Sequence, residues 1–588
     1  MTTALSGAGN FTNGATGTLN FNFTGALTLG GTFDASTSGN TVNWGAAGAE
    51  TVKAVTYHHL TLSNSGAKDI TGLSTVNGDL TLSGTATTTN SGTLVVAGTL
   101  TTTGTTFTNN GTLTVTTALS GTGGLTQGTN SILNLGGTCT ITTLTATASG
   151  NTLNYTGASQ TVKAVTYLNL TLSGSGIPVL TSVTTINGNL TLSGTVSATT
   201  AADMIVGGNL DVGSGTALTL AGYTFSVTGT TSVAGTLTNS SATGTKTFSG
   251  DVTIQTNGVW NETAAAVISY GGSLTHNGTT FTASTGTHTF TGTNKTIGGS
   301  SAIAIPSLTI NGTTTNQSTI GLTVSTTLAG ASTLTNDTNA ILNIGAATVG
   351  PTLTAIASSN TVNYNSTTQG QTVKGTTYVN LTITKSGQTA TLGGDTIVNG
   401  LLNISAGALD VDNTNNYALN LHGDYTNNGT FTAQAGTVTL SGSAKQTLSG
   451  TMTNSSAFYD LTITNNSGSY GGSCGSITPS VDFNAAATVT HNYTITTASV
   501  KVEYQTLATY TFTNINWSGS NGNPIVFRNS EEANKWNLNV SGTQTVHYVD
   551  VSRSDASGVN QINAYDGTNT DCNNNTKWAF LGDWGGSY

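Results

Sequence analysis

The stretch SQTVKAVTYLNLTLSGSG, Ser159–Gly176, is one of three versions of a single sentence. AETVKAVTYHHLTLSNSG stands at Ala49–Gly66 and GQTVKGTTYVNLTITKSG at Gly370–Gly387. In each version apolar residues alternate with Thr, Asn or Ser, the period-two signature of a strand with one buried face. A Gly/Ser/Asn cluster closes it, which is the chemistry of a tight corner. The surroundings repeat too. NTVNW, NTLNY and NTVNY precede the sentence from Asn40, Asn151 and Asn360. STVNGDLTLSGT, TTINGNLTLSGT and DTIVNGLLNISAG follow it from Ser74, Thr184 and Asp395. The starts at Asn40, Asn151 and Asn360 lie 111 and 209 residues apart, so the second interval holds nearly two units. Large repeats therefore run near residues 2–115, 116–324 and 325–499.

A finer period is nested inside. Gly78 precedes Gly98 by 20 residues, Gly188 precedes Gly208 by 20, and Gly400 precedes Gly423 by 23. One coil of that length cannot bury its apolar residues, whereas a stack of similar coils builds a continuous inner column. The period predicts an all-β parallel β-solenoid of about 20 residues per coil, with Leu, Val and Ile of LTL and LTI inward and Thr and Ser outward. At ~4.8 Å between coils, the chain makes about 29 coils and a rod of order 140 Å. Tandem β-sandwiches also give short strands and Gly turns, but the near-20 recurrence and uniformly small residues favour the solenoid.

Composition agrees. Only 6% of the 588 residues are charged, against ~25% in an ordinary globular protein. Such polar bias raises disorder as an alternative, but disordered chains are usually charged and lack recurrent apolar alternation. The β-branched Thr and Val favour strands, and Gly and Asn supply positive-φ corners. A net charge of −10 with only 13 Lys and Arg argues against a nucleic-acid-binding surface, which needs clustered basic residues. No apolar run is long enough for a membrane helix. Cys139, Cys474 and Cys572 lie far apart and read as small buried hydrophobes ahead of a disulfide or metal site. The chain opens in repeat material without a signal-like segment; the composition is that of exported surface proteins, and an uncovered first coil would offer an edge for pairing.

From residue 500 to residue 588 the language changes to a segment enriched in aromatics and charge, with both arginines and four of the six tryptophans. Repeat arrays need an atypical end, and Trp517, Trp536, Trp578 and Trp584 suit a solenoid continuation or cap. A ligand site built from these tryptophans is the sharper alternative. GTQTVHYVDVS at Gly542–Ser552 still echoes SQTVKAVTY.

No residue constellation names a chemistry. Lys53, Lys163 and Lys374 occupy one position of the repeat and read as gatekeeper charges, with an acidic glycan as the alternative. His58, His59, His276, His288, His422, His491 and His547 show no metal-ligand spacing. Asp410 and Asp412 in LDVDNTNN resemble part of a calcium loop without its terminal acid. Asp550, Asp555, Asp566 and Asp571 form the densest acidic group, the other candidate Ca²⁺ position. No cofactor is expected otherwise. Glu531 and Glu532 are adjacent, and neighbours on a strand point to opposite faces, so they do not make a catalytic pair. Thr-x-Thr runs lack the common register that ice binding would require.

NTVNYNSTTQGQTVKGTTYVNLTITKSG, STVNGDLTLSGT and the terminal WNLNVSGTQTVHYVDVSRSDASGVNQINAYDGTNTDCNNNTKWAF resemble the repeats of large bacterial surface proteins related to filamentous-haemagglutinin-type and autotransporter-passenger adhesins. The resemblance covers nearly the whole chain and transfers no catalytic residue. It implies a right-handed parallel β-helix, secretion and an adhesive or scaffold role. The expectation is a non-catalytic extracellular structural protein, a cell-surface fibre or filament subunit or adhesin. Its partners would be further copies of itself, surface glycans or neighbouring cells. A monomeric glycan-binding stalk is the runner-up, and a polysaccharide-cleaving enzyme the third reading.

Overall fold

The computed structural model describes residues 4–581 apart from 26 and 532. Strands follow one another along the chain with a single short 3₁₀ turn, Asn454–Ser456, among the described residues. Two compact units, residues 1–291 and 292–588, are each an all-β parallel β-solenoid.

In the first unit each coil crosses three faces. Leu80–Leu82 lies on face A, Thr85–Asn90 on face B and Thr93–Val96 on face C, each paired in parallel with the strand one coil away. Face C shows why the chain stacks. Leu94, Leu113, Leu133, Leu153, Leu170, Leu190 and Leu210 sit in direct register, in steps of 19, 20, 20, 17, 20 and 20 residues. None of the seven is more than 1% exposed. Each leucine covers the one below, so burial comes from the neighbouring coil and not from a globular interior.

The corners obey the same vertical match. Gly98 lies directly against Gly78, Gly208 against Gly188 and Gly423 against Gly400, so a Cβ would meet the lower backbone at 2.0–2.7 Å. At Gly137 a Cβ would sit 1.7 Å from the Thr117 carbonyl oxygen, a close approach that only glycine permits. Where polar side chains turn inward they stack as well. The Asn90 amide donates to Asn109 (2.8 Å), whose amide donates to Gln127 (2.7 Å).

The large repeat does not match a whole number of coils. From Thr41–Trp44, five register steps along face A reach Thr138–Cys139. The chain then crosses Thr143–Thr145 on face B before the matching Thr152–Tyr155, which pairs on face C. Two copies of the same sentence therefore look out from different faces of one unit. Any face accepts them, because each demands only alternating apolar residues.

In the second unit a like column runs Leu322, Leu342, Val362, Leu381, Leu402, Tyr425, Leu448, Phe483 and Tyr504. The step from Leu448 to Phe483 spans 35 residues, because residues 464–480 leave the stack and return. The coils beyond residue 500 continue the same parallel sheets. Their core is aromatic: the Tyr504 ring lies 4.3 Å from Trp536 and Trp517 lies 4.7 Å from Phe527.

Candidate functional site

The repeated sentence builds a buried polar bracket. Gln160 accepts from the Gly157 amide (2.6 Å) and donates to the carbonyls of Leu135 (3.0 Å) and Gly137 (2.5 Å), one coil away. Gln371 repeats the pattern with Ser366, Ile344 and Ala346, and Gln446 repeats it with Gly442, Leu421 and Gly423. Glu50 holds this position in the first copy. Its carboxylate accepts from the Ala46 amide (3.0 Å) and from the Lys68 ammonium, which also donates to the Ala46 (2.8 Å) and Gly48 (3.3 Å) carbonyls. Lys68 and Glu50 are in direct strand register, and both are buried.

The tyrosines of the sentence tie down the backbone of the repeat lysine. Tyr155 accepts from the Lys163 amide (2.9 Å), and Tyr167 donates to the Lys163 carbonyl. Tyr364 and Tyr378 do the same for Lys374, at 2.9 and 2.6 Å. Burial pushes the Tyr364 phenol up to about 12, so this pair stays protonated. Lys53 is exposed, while Lys163 and Lys374 are half-buried. Because their copies sit on different faces, Lys53 and Lys163 form no stripe that a polyanion would follow.

The candidate metal positions do not converge. Asp410 accepts from the Gln434 amide (3.1 Å) and the Asp412 amide (2.9 Å), and Asp412 accepts from Thr414 and Asn415. The Asn415 backbone bond holds the Asp412 carboxyl below its usual range. Asp555 caps its own turn through Ser557, and Asp566 pairs with His547 at 2.5 Å. His288 and Glu262 form a buried pair at 2.9 Å, and His276 is also buried. Trp517, Trp536 and Trp578 are buried, filling the solenoid instead of presenting rings to solvent. Trp584 and Glu532 lie outside the described residues.

The arrangement that the spacing alone did not suggest is a strap. Residues 464–480 carry a small antiparallel hairpin, Ser469–Tyr470 with Ile477–Thr478. It lies along the outside of the coils that follow. Lys501 donates to the Gly468 carbonyl (2.7 Å), and Arg528 donates through Nε to the Gly475 carbonyl (3.1 Å). Asp550 accepts from the Cys474 amide (3.0 Å) and the Tyr470 hydroxyl, and pairs with Arg528 at 2.7 Å. Cys474 is bonded to Cys572, 98 residues later. The small-hydrophobe reading therefore fails for two of the three cysteines; only Cys139 is a free thiol among the described residues.

Burial, and next the Asp550 carboxylate, push Tyr470 up to about 12. The same outer face carries Asp482 in register with Glu503, and Lys445 pairs with Asp482 at 2.7 Å. Burial and then Asp482 raise the Glu503 carboxyl above its usual range.

No family model, curated protein or solved structure matches the chain. Its class rests on its own geometry: a repetitive parallel β-solenoid whose buried polar groups serve stacking, with one disulfide-closed strap in the second unit.

Proposed function

We propose that this chain is a non-catalytic extracellular structural protein, a section of a cell-surface fibre or adhesin stalk. The observation that carries the proposal is the Cys474–Cys572 bond, which closes a 98-residue loop. Structural disulfides persist in oxidising compartments and are rare where thiols are kept reduced. A supporting argument is where the polar chemistry goes. The Gln brackets, the Lys68–Glu50 pair and the Arg528–Asp550 pair all bind one coil to another. Its partners on this reading are further copies of itself, or the glycans and cells to which the stalk adheres.

The test is made on intact cells of the source. A membrane-impermeant maleimide, added with and without prior reduction, is expected to label Cys474 and Cys572 only after reduction. Labelling of both thiols without reductant, or protection that ends only on cell lysis, would overturn the proposal.

A further inference from the structure

Between the strap and the terminal coils of the second unit lies a cleft of about 630 Å³. We propose that it is a binding site for a neutral oligosaccharide. Its walls are Tyr470 and Ser473 from the strap, Asn521 from one loop, Tyr548 from the next coil, and Thr568 and Thr570 from the coil after that. The grooves along coil corners elsewhere, of about 340 and 450 Å³, are lined by small residues and an occasional Asn or Gln, without an aromatic ring.

Three features select the ligand class. First, the lining mixes two tyrosines with hydroxyl and carboxamide groups. A sugar presents an apolar C–H face to a ring and hydroxyls to such donors and acceptors. Asn521 and Ser473 are exposed at the rim, with their polar ends open to solvent. Second, no lining side chain is charged. The carboxylates bonded to lining residues are each paired, Asp550 with Arg528 at 2.7 Å beneath the strap and Asp566, which accepts from Thr568, with His547 at 2.5 Å. An uncharged cleft gives a sulfated or uronic sugar no partner for its desolvated charge, and the net charge of −10 repels such ligands from a distance. Third, the walls are held in place. Tyr470 is anchored on Asp550, the strap is closed by the disulfide, and the Tyr548 amide donates to Thr568 at 2.9 Å. Tyr548 itself is held at φ 49°, a left-handed conformation unusual for a bulky residue. A rigid cleft spares the ligand the cost of ordering it.

This proposal goes beyond the structural role and does not depend on it. The full chain is applied to immobilised neutral trisaccharides (β-glucan, α-glucan, xylan, mannan and N-acetylglucosamine series) beside sulfated and uronic counterparts. Binding to at least one neutral series, and to no charged one, is expected. Tyr548→Gly removes the ring while accepting the left-handed backbone freely, so the fold is retained and affinity drops about tenfold. Asn521→Ala, at an exposed loop position, weakens binding in the same direction. Retention of charged sugars only, no retention of any neutral series, or undiminished binding by Tyr548→Gly would each overturn the assignment. None of these results bears on the intact-cell labelling, so the two proposals fail separately.

Discussion

Gln160 and Glu50 fill the same place in two copies of one sentence, yet only Glu50 faces a lysine. Lys68 stands in register above Glu50, whereas Pro178 occupies the corresponding buried position above Gln160, next to the Thr161–Val179 bridge. Gln160→Glu keeps the acceptor for the Gly157 amide but removes both donors, leaving the Leu135 and Gly137 carbonyls facing a carboxylate. The Leu135 carbonyl keeps the Thr156 amide at 2.8 Å, so only the Gly137 carbonyl is orphaned, at ~1–3 kcal/mol, and a buried charge without its partner costs ~3–5 kcal/mol. Taken together, with partial relaxation, a local loss of about 4 kcal/mol is expected. Adding Pro178→Lys supplies the missing cation from one coil above, as Lys68 does, and recovers at least about 2 kcal/mol as a coupling energy. Stacked coils open locally instead of as one unit, so the assay is hydrogen exchange of the peptides covering residues 152–180. A Gln160→Glu loss below about 1 kcal/mol would refute the bracket as a stabilising element. Equal gains from Pro178→Lys in the wild type and in Gln160→Glu would refute the charge match.

Three further outcomes follow from the same geometry. Leu170→Ala, between Leu153 and Leu190 in the buried column, costs about 3 kcal/mol, read as faster exchange in the adjacent coils and not in the second unit. Cys474→Ser with Cys572→Ser opens a 98-residue loop and costs up to about 4–5 kcal/mol on loop entropy; new proteolytic cuts at residues 464–480, matched by the wild type under reductant, are the readout. Burial pulls the Lys385 ammonium from 10.5 down to about 8. Between those values the unfolded chain holds a proton that the folded chain has released, so stability rises with pH across that window and is lowest below it. Relative to Lys385→Met, the wild type gains up to about 3 kcal/mol from pH 7 to pH 10.5; a flat difference between the two would contradict the burial of that charge.

The fold was legible because it depends on local pattern. Alternating Leu and Thr specify a half-buried strand wherever they occur, and the 20-residue glycine spacing at Gly78–Gly98 and Gly188–Gly208 proved to be a direct vertical contact. The bracket was half legible. The Gln before TVK recurs in the text, but its role needs three segments, at residues 135–137, 157 and 160, to meet. The strap was signalled only by a late return to the sheet, 35 residues where about 20 are usual, around a Gly/Ser run that contains Cys474. Cysteines 98 residues apart carry no sign of their meeting.

Sequence alone determined that this chain stacks upon itself: strand period, corner residues and repeat length are properties of neighbours along the chain, and like side chains cover like. Which face each repeat looks from was decided only in three dimensions, because 111 residues advance the chain by five coils and two further faces. The same is true of the pairing of Glu50 with Lys68, of Asp550 with the strap, and of Cys474 with Cys572. Such contacts depend on how many residues each intervening coil consumes, a sum of small local variations that no single stretch of sequence contains.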